Sequence, residues 1–253
     1  ITPNAAELLG KAAAEALGQA GRTPGDIAAV VVVSTTGIAT PSLDAVLLNR
    51  LDLPPTILRL PIFGLGCAGG VIGLSHAAAL ARTLPDGDVL FLAVELCSVT
   101  FRRSDMSKSN IIGAALFGDG AGAMVIGRPG SPGLRLGPSG MHTWPDSLRV
   151  MGWDVEDVGL GVLFSPDIPT LVRRAMRPAA DAFLARCGLT VRDLAGCVCH
   201  PGGVKVLDAL EQAFDLAPGS MSAARDILRD YGNMAAVTVL FVLERMIPDG
   251  LAG

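Results

Sequence analysis

The chain has 253 residues, half of them apolar, 17% charged and 4% aromatic, with a formal net charge of −4. No basic stripe is available for a nucleic-acid surface, and no apolar run reaches the roughly 20 residues a membrane-spanning helix needs. Five irregularly spaced cysteines read as reduced thiols, and the N-terminus lacks the charged-then-apolar pattern of a secretion signal, so the expected setting is cytoplasmic.

In chain order, residues 5–20 carry apolar side chains at helical spacing, and Val30–Val33 is a short β-branched run that reads as a buried strand. Leu43–Leu51 predicts a helix, Thr56–Phe63 a strand running into Gly64-Leu65-Gly66-Cys67, and Gly69–Leu84 a helix of small residues stopped by Pro85-Asp86-Gly87. Asp88–Glu95 is a further strand, and Ala115–Ile126 brackets an expected turn at Gly118-Asp119-Gly120 beside a strand. Residues 128–148 hold four Pro and four Gly and read as a connection. Beyond it come a strand (Gly161–Phe164), a helix (Thr170–Cys187), a strand (Cys197–His200), a helix at Val204–Phe214, a helix or turn at Ala223–Asp230, and a last helix at Ala235–Met246. Strands alternating with helices predict an α/β fold, a mainly parallel sheet covered on both faces.

The two halves repeat. Residues 13–33 (AAEALGQAGRTPGDIAAVVVV) resemble 179–199 (AADAFLARCGLTVRDLAGCVC), and LDAVLLNRLDLPP at 43–55 echoes LDALEQAFDLAPG at 207–219. In that frame Gly66-Cys67-Ala68-Gly69-Gly70 corresponds to Gly232-Asn233-Met234-Ala235-Ala236, and His200 to the strand end at Thr35–Thr36. The expected organisation is an N-terminal half at 1–127, a connection at 128–151 and a C-terminal half at 152–253, with both corners meeting at a shared interface.

Three residues carry chemistry in that layout. Cys67 follows a strand and opens a helix, where unpaired N–H groups and the positive dipole end favour thiolate. His200 ends a strand and precedes Pro201-Gly202-Gly203; an imidazole there takes a proton or stabilises an oxyanion. The Asn233 amide transfers no proton, so it either donates a hydrogen bond or caps the following helix. Cys197 and Cys199 beside His200 lack a second ligand cluster and read as strand residues rather than metal ligands. Gly118-x-Gly120-x-Gly122 lacks the Lys-Ser/Thr that a phosphate loop needs and reads as structural.

Gly66-Cys67-Ala68-Gly69-Gly70, Leu116-Phe117-Gly118-Asp119-Gly120-Ala121, His200-Pro201-Gly202-Gly203 and Tyr231-Gly232-Asn233-Met234 resemble, in this order, the signature segments of type III polyketide synthases, the chalcone synthase-like enzymes. The resemblance implies a duplicated thiolase-like fold, layered α-β-α-β-α. It implies that Cys67 is acylated by a starter acyl-CoA, while His200 and Asn233 hold the thioester carbonyl of malonyl-CoA and stabilise the enolate left by decarboxylation. It further implies a His200–Cys67 ion pair, a homodimer, and no metal or organic cofactor beyond the CoA thioesters used as substrates. Phe117, Thr100 and Cys97 match cavity-lining positions. Val162 stands where plant enzymes carry a second gating phenylalanine, and Trp153 falls near a small pocket residue. The Met151–Asp154 and Ser165–Pro169 stretches look like bacterial alkylresorcinol and alkylpyrone synthases, which implies a fatty acyl starter. Family chains are longer at both ends. The competing expectations are a β-ketoacyl-ACP synthase III-like enzyme and a catalytically silent protein that keeps the fold for binding or dimerisation.

Overall fold

The β-branched run of the first half becomes Ile27–Val33 (β1), an inner strand of a four-stranded sheet; this computed structural model describes residues 2–157 and 159–247. β1 pairs in parallel with Leu58–Ile62 (β2) on one side and Asp88–Leu96 (β3) on the other, and β3 pairs antiparallel with Asp119–Ile126 (β4), giving the order β2-β1-β3-β4. Period-two alternation then divides the side chains between two layers. Val30, Val32, Leu90 and Leu92 meet Leu9 and Leu17 of Thr2–Ala20 (α1) and Leu47 of Leu43–Arg50 (α2). Val31, Val33 and Phe91 meet Ala77 and Ala81 of Gly69–Thr83 (α3) together with Leu207, Ile227, Val237 and Leu240 from the second half. A strand buried on both faces has no polar alternation, which is why 27–33 is continuously apolar.

The second half opens with a hairpin, Met151–Glu156 (β5) against Gly159–Phe164 (β6), in which Trp153 faces Val162. The helices Ile168–Arg186 (α5), Val204–Ala213 (α6), Ser222–Tyr231 (α7) and Thr238–Met246 (α8) follow; in the first half Lys108–Leu116 (α4) precedes β4. The repeat extends to details. The Thr23 N–H donates to Asp26 Oδ2 at 2.7 Å, and the Thr190 N–H to Asp193 Oδ2 at 2.7 Å, each closing the same capping box. Asp52 (φ 51°) and Asp215 (φ 55°) take the same left-handed turn after α2 and α6. The Asp44–Arg59 ion pair of the first half recurs as Asp208–Arg225, where Arg225 also reaches Glu211.

Four expectations differ. Residues 197–200 pair with no strand among the described residues, so this copy of the β1 position is a segment without regular structure. Apolar, β-branched sequence favours a strand, but only a hydrogen-bonding neighbour makes one. Asp119 and Gly120 of the predicted turn instead open β4, with Asp119 opposite Leu96 and Gly120 opposite Glu95. These glycines serve close approach: a Cβ on Gly118 would lie 2.2 Å from the Tyr231 carbonyl oxygen, and one on Gly120 would lie 2.5 Å from Met234 Sδ. Both α4 and β5 went unforeseen. The last helix begins with a separate 3₁₀ turn, Ala235–Val237, before α8.

Candidate active site

After β2 the chain turns at Gly66, whose φ of 54° suits a residue without a Cβ, and Cys67 sits in the 3₁₀ turn Gly66–Ala68 that leads into α3. The corner packs on the turn that follows Asn233. A Cβ on Gly70 would come 2.1 Å from the Ala236 carbonyl oxygen, and one on Gly69 would meet Val33 at 2.7 Å and Ala236 at 3.2 Å. The expectation that the two corners converge is therefore met in backbone-to-backbone contact.

Asn233 is fully buried. Its N–H donates to the Leu116 carbonyl (2.8 Å) and its carbonyl accepts from the Gly118 N–H (3.0 Å), a bridge that pairs Asn233 with Phe117. The two roles open to its side chain fall on different atoms. Oδ1 accepts from the Ala235 N–H at 2.9 Å and caps the turn, while Nδ2 has no hydrogen-bond partner. A buried amide donor without a partner costs about 1–3 kcal/mol. Nδ2 acts on the Cys67 thiol, favouring its ionised form, without completing a hydrogen bond to it.

Burial pushes the Cys67 thiol up to about 12, and the carboxyl group of Glu95 adds to the rise; the Asn233 amide and the turn's own N–H oppose it. His200 has both ring nitrogens buried and unpartnered, and burial lowers its pKa to about 4. Both groups are thus neutral near pH 7, and no hydrogen bond joins His200 to Cys67 or Asn233. The ion pair implied by the resemblance is absent from this form, because desolvation of two facing-inward groups disfavours both charges.

Glu95 was not foreseen. It is the last residue but one of β3, a nine-residue strand that is buried throughout, and its carboxylate accepts from the N–H groups of Thr35 and Thr36 (2.9–3.1 Å) and from Thr36 Oγ1 (2.7 Å). Burial raises its pKa against these hydrogen bonds. One acidic residue closing the apolar run DVLFLAVE is a signal of its own, since a buried carboxylate requires donors.

Beside the corners lies a cavity of about 330 Å³ whose walls include all five predicted pocket residues, Cys97, Thr100, Phe117, Trp153 and Val162. Phe117 and Trp153 meet with ring centroids 6.1 Å apart and planes tilted by 48°, and Cys97 lies close enough to Cys67 for a charge on one to raise the pKa of the other. The hairpin wall is tied down by Arg102, which donates to Glu156 Oε2 (2.7 Å) and to the Gly159 carbonyl (2.5 Å). Asn110, another wall residue, donates to the carbonyls of Arg102 and Asp105. Among the described residues no three His, Cys, Asp or Glu side chains are grouped to hold a metal ion.

A cysteine at one strand-to-helix corner, seated on the matching asparagine corner of a second copy beside an apolar cavity, defines a thiolase-like fold. The chain belongs to the chalcone and stilbene synthase family: the N-terminal domain of that family matches residues 1–130 and the C-terminal domain residues 139–251. A Bacillus subtilis (strain 168) relative that bears the chalcone synthase name is 41% identical over 88% of this chain and 64% of its own length. The 1,3,6,8-tetrahydroxynaphthalene synthase of Streptomyces peucetius subsp. caesius is 40% identical over 90% of this chain and 62% of its own. The crystal structure of 1,3,6,8-tetrahydroxynaphthalene synthase from Streptomyces coelicolor A3(2), a bacterial type III polyketide synthase, superposes with a TM-score of 0.92 at 29% identity, covering 98% of this chain and 71% of that one. The chain spans less than two thirds of the length of these sequence relatives.

Proposed function

We propose that the protein acts as a type III polyketide synthase. Cys67 attacks the carbonyl of an acyl-CoA starter, the CoA thiol leaves, and the acyl group remains as a Cys67 thioester. Malonyl-CoA then loses CO2, and the resulting enolate oxygen accepts hydrogen bonds from Asn233 Nδ2 and His200. The enolate carbon attacks the acyl-Cys67 carbonyl, expels the Cys67 sulfur and lengthens the chain by two carbons. The observation that supports this reading is the buried Asn233 Nδ2 without a partner, beside a cysteine at a helix start. A donor held unsatisfied in the resting protein is ready for an oxygen that gains charge during reaction, a role worth about 10²–10³ in rate. Both ring nitrogens of His200 are likewise without a partner, and one of them is the N–H donor of the neutral ring. Its neutrality near pH 7 suits a hydrogen-bond donor to an enolate, and the Cys67 thiol then needs a proton acceptor when substrate enters.

Phe117, Trp153, Val162, Cys97 and Thr100 would hold the starter. A fatty acyl-CoA fits the apolar side of that wall, and a cavity of about 330 Å³ falls at the small end of ligand pockets. The polar wall residues Ser98, Thr100 and Asn110 favour a second reading, a short starter extended to a polyhydroxylated product of the kind the Streptomyces relatives are named for. We further propose a cytoplasmic homodimer needing no metal or organic cofactor. The free edge of β2 and its exposed Leu58 would face the second copy, and the five thiols are all free.

The deciding experiment is the intact mass of the protein after incubation with acetyl-, octanoyl-, palmitoyl- and malonyl-CoA, beside a Cys67→Ala control. An acyl-sized gain lost in the control supports the reading and ranks the starters. Product analysis separates alkylpyrones or alkylresorcinols from a naphthalene product. A folded protein that gains no mass would return the silent-protein alternative, and selective use of acyl-carrier protein would return the β-ketoacyl-ACP synthase III-like one.

A further inference from the structure

Cys197 and Cys199 flank Val198 directly ahead of His200. In extended chain, residues two apart point the same way, and here the two sulfurs lie 3.1 Å apart as a thiol–thiol hydrogen bond with no disulfide. Neither residue is fully buried, both pack at the margin of the core, and no third ligand joins them to make a metal site among the described residues. Among the described residues the backbone around them belongs to no ladder, so a local pucker there breaks no sheet hydrogen bond with them.

We propose that Cys197 and Cys199 form an oxidation site, a dithiol that a peroxide converts to an intramolecular disulfide. The thiolate of Cys197 attacks one peroxide oxygen. The O–O bond breaks, Cys197 becomes a sulfenic acid, and the other oxygen leaves as water after taking a proton. The Cys199 sulfur then displaces the sulfenic oxygen, which leaves as a second water; an S–S bond forms and an S–O bond breaks. The two thiols lose two electrons and two protons, and hydrogen peroxide accepts both. Cys197 is the attacking sulfur because the hydrogen bond from the Cys199 thiol lowers its pKa, while the pKa of Cys199 is raised by the same contact.

Closure draws the sulfurs from 3.1 Å to about 2.05 Å. An extended i to i+2 span of about 7 Å lies at the upper limit of Cα separations that a disulfide bridges, so the backbone must bend just before His200. Oxidation therefore moves the imidazole. The inference does not rest on the condensing reaction.

The test treats the full chain with graded hydrogen peroxide, blocks remaining thiols with N-ethylmaleimide under denaturing conditions and maps the peptides. Arg192 and Lys205 flank both cysteines, so trypsin leaves them on one peptide. The expected result is the paired loss of two thiols per chain, with that peptide two hydrogens lighter and refractory to maleimide until reduced. Cys199→Ser should give a dimedone-trappable sulfenic acid at Cys197 in place of the disulfide, and Cys197→Ser should give neither. Persistence of both thiols while Cys187 oxidises, or a disulfide mapped to Cys67 and Cys97 instead, overturns the proposal.

Discussion

The backbone of Asn233 is paired with that of Phe117, joining the corner after α7 to the residue that enters the cavity wall. The bridge links the proposed oxyanion donor and the cavity wall through two hydrogen bonds of 2.8 and 3.0 Å.

Asn233→Asp keeps an acceptor for the Ala235 N–H but removes the unpartnered donor. Malonyl-CoA decarboxylation, followed by CO2 release, should fall about 10²–10³-fold with the fold intact by circular dichroism. Asn233→Ala should in addition lose about 1 kcal/mol of stability with the cap. Equal activity of Asn233→Asp and wild type would remove Asn233 from the mechanism.

Removing the Glu95 charge should lower the Cys67 pKa, since that charge contributes to its rise to about 12. In Glu95→Gln the iodoacetamide rate at Cys67 should reach its half-maximum at lower pH than in wild type, read as the pH profile of alkylation. The variant also exchanges a charged acceptor of the Thr35 and Thr36 donors for a neutral amide, at a cost of about 1–3 kcal/mol in a urea melt.

His200 predicts an acid-side loss of stability. Its pKa falls from 6.5 to about 4 on folding, so the unfolded chain binds the extra proton between those values. The neutral imidazole's contribution is fully present above pH 6.5 and is lost as pH falls from 6.5 towards 4. Denaturation midpoints across this window should drop in wild type and flatten in His200→Leu; an unchanged slope would contradict the burial described for the ring.

The clasp from Arg102 to Glu156 and Gly159 holds the hairpin that carries Trp153 and Val162. Arg102→Gln should loosen that wall and change the ratio of octanoyl to palmitoyl transfer onto Cys67 severalfold, leaving acetyl transfer within about twofold. Competition between the two acyl-CoAs, read by intact mass, gives the ratio directly. An unchanged ratio would mean the wall holds without its clasp.

Gly70→Ala places a methyl group where the Ala236 carbonyl oxygen lies 2.1 Å away. Backbone cannot yield as a side-chain tip does, so the loss should exceed the about 1–3 kcal/mol typical of overpacking, measured in the same urea melts.

Local chemistry was legible in the sequence, and pairing was not. The Thr23–Asp26 and Thr190–Asp193 caps and the turns at Asp52 and Asp215 are short-range, so the repeat that aligns Cys67 with Asn233 could be read from residue order alone. Residues 197–200 misled because a strand's existence depends on a neighbour. Glu95 and Arg102 were missed because their partners lie 54–60 positions away in sequence. The pocket residues were found through likeness to a family rather than from their own spacing.

The seat of Gly70 on the Ala236 carbonyl separates two kinds of change open to this protein. The helix behind Cys67 is fixed against main chain, which every substitution at Ala236 leaves in place. The cavity wall is borne by side chains of a peripheral hairpin and a short helix. Drift in the wall can alter which molecules are accepted without disturbing the corner that would react with them, so descendants of this scaffold can diversify in substrate while inheriting one unaltered reactive centre.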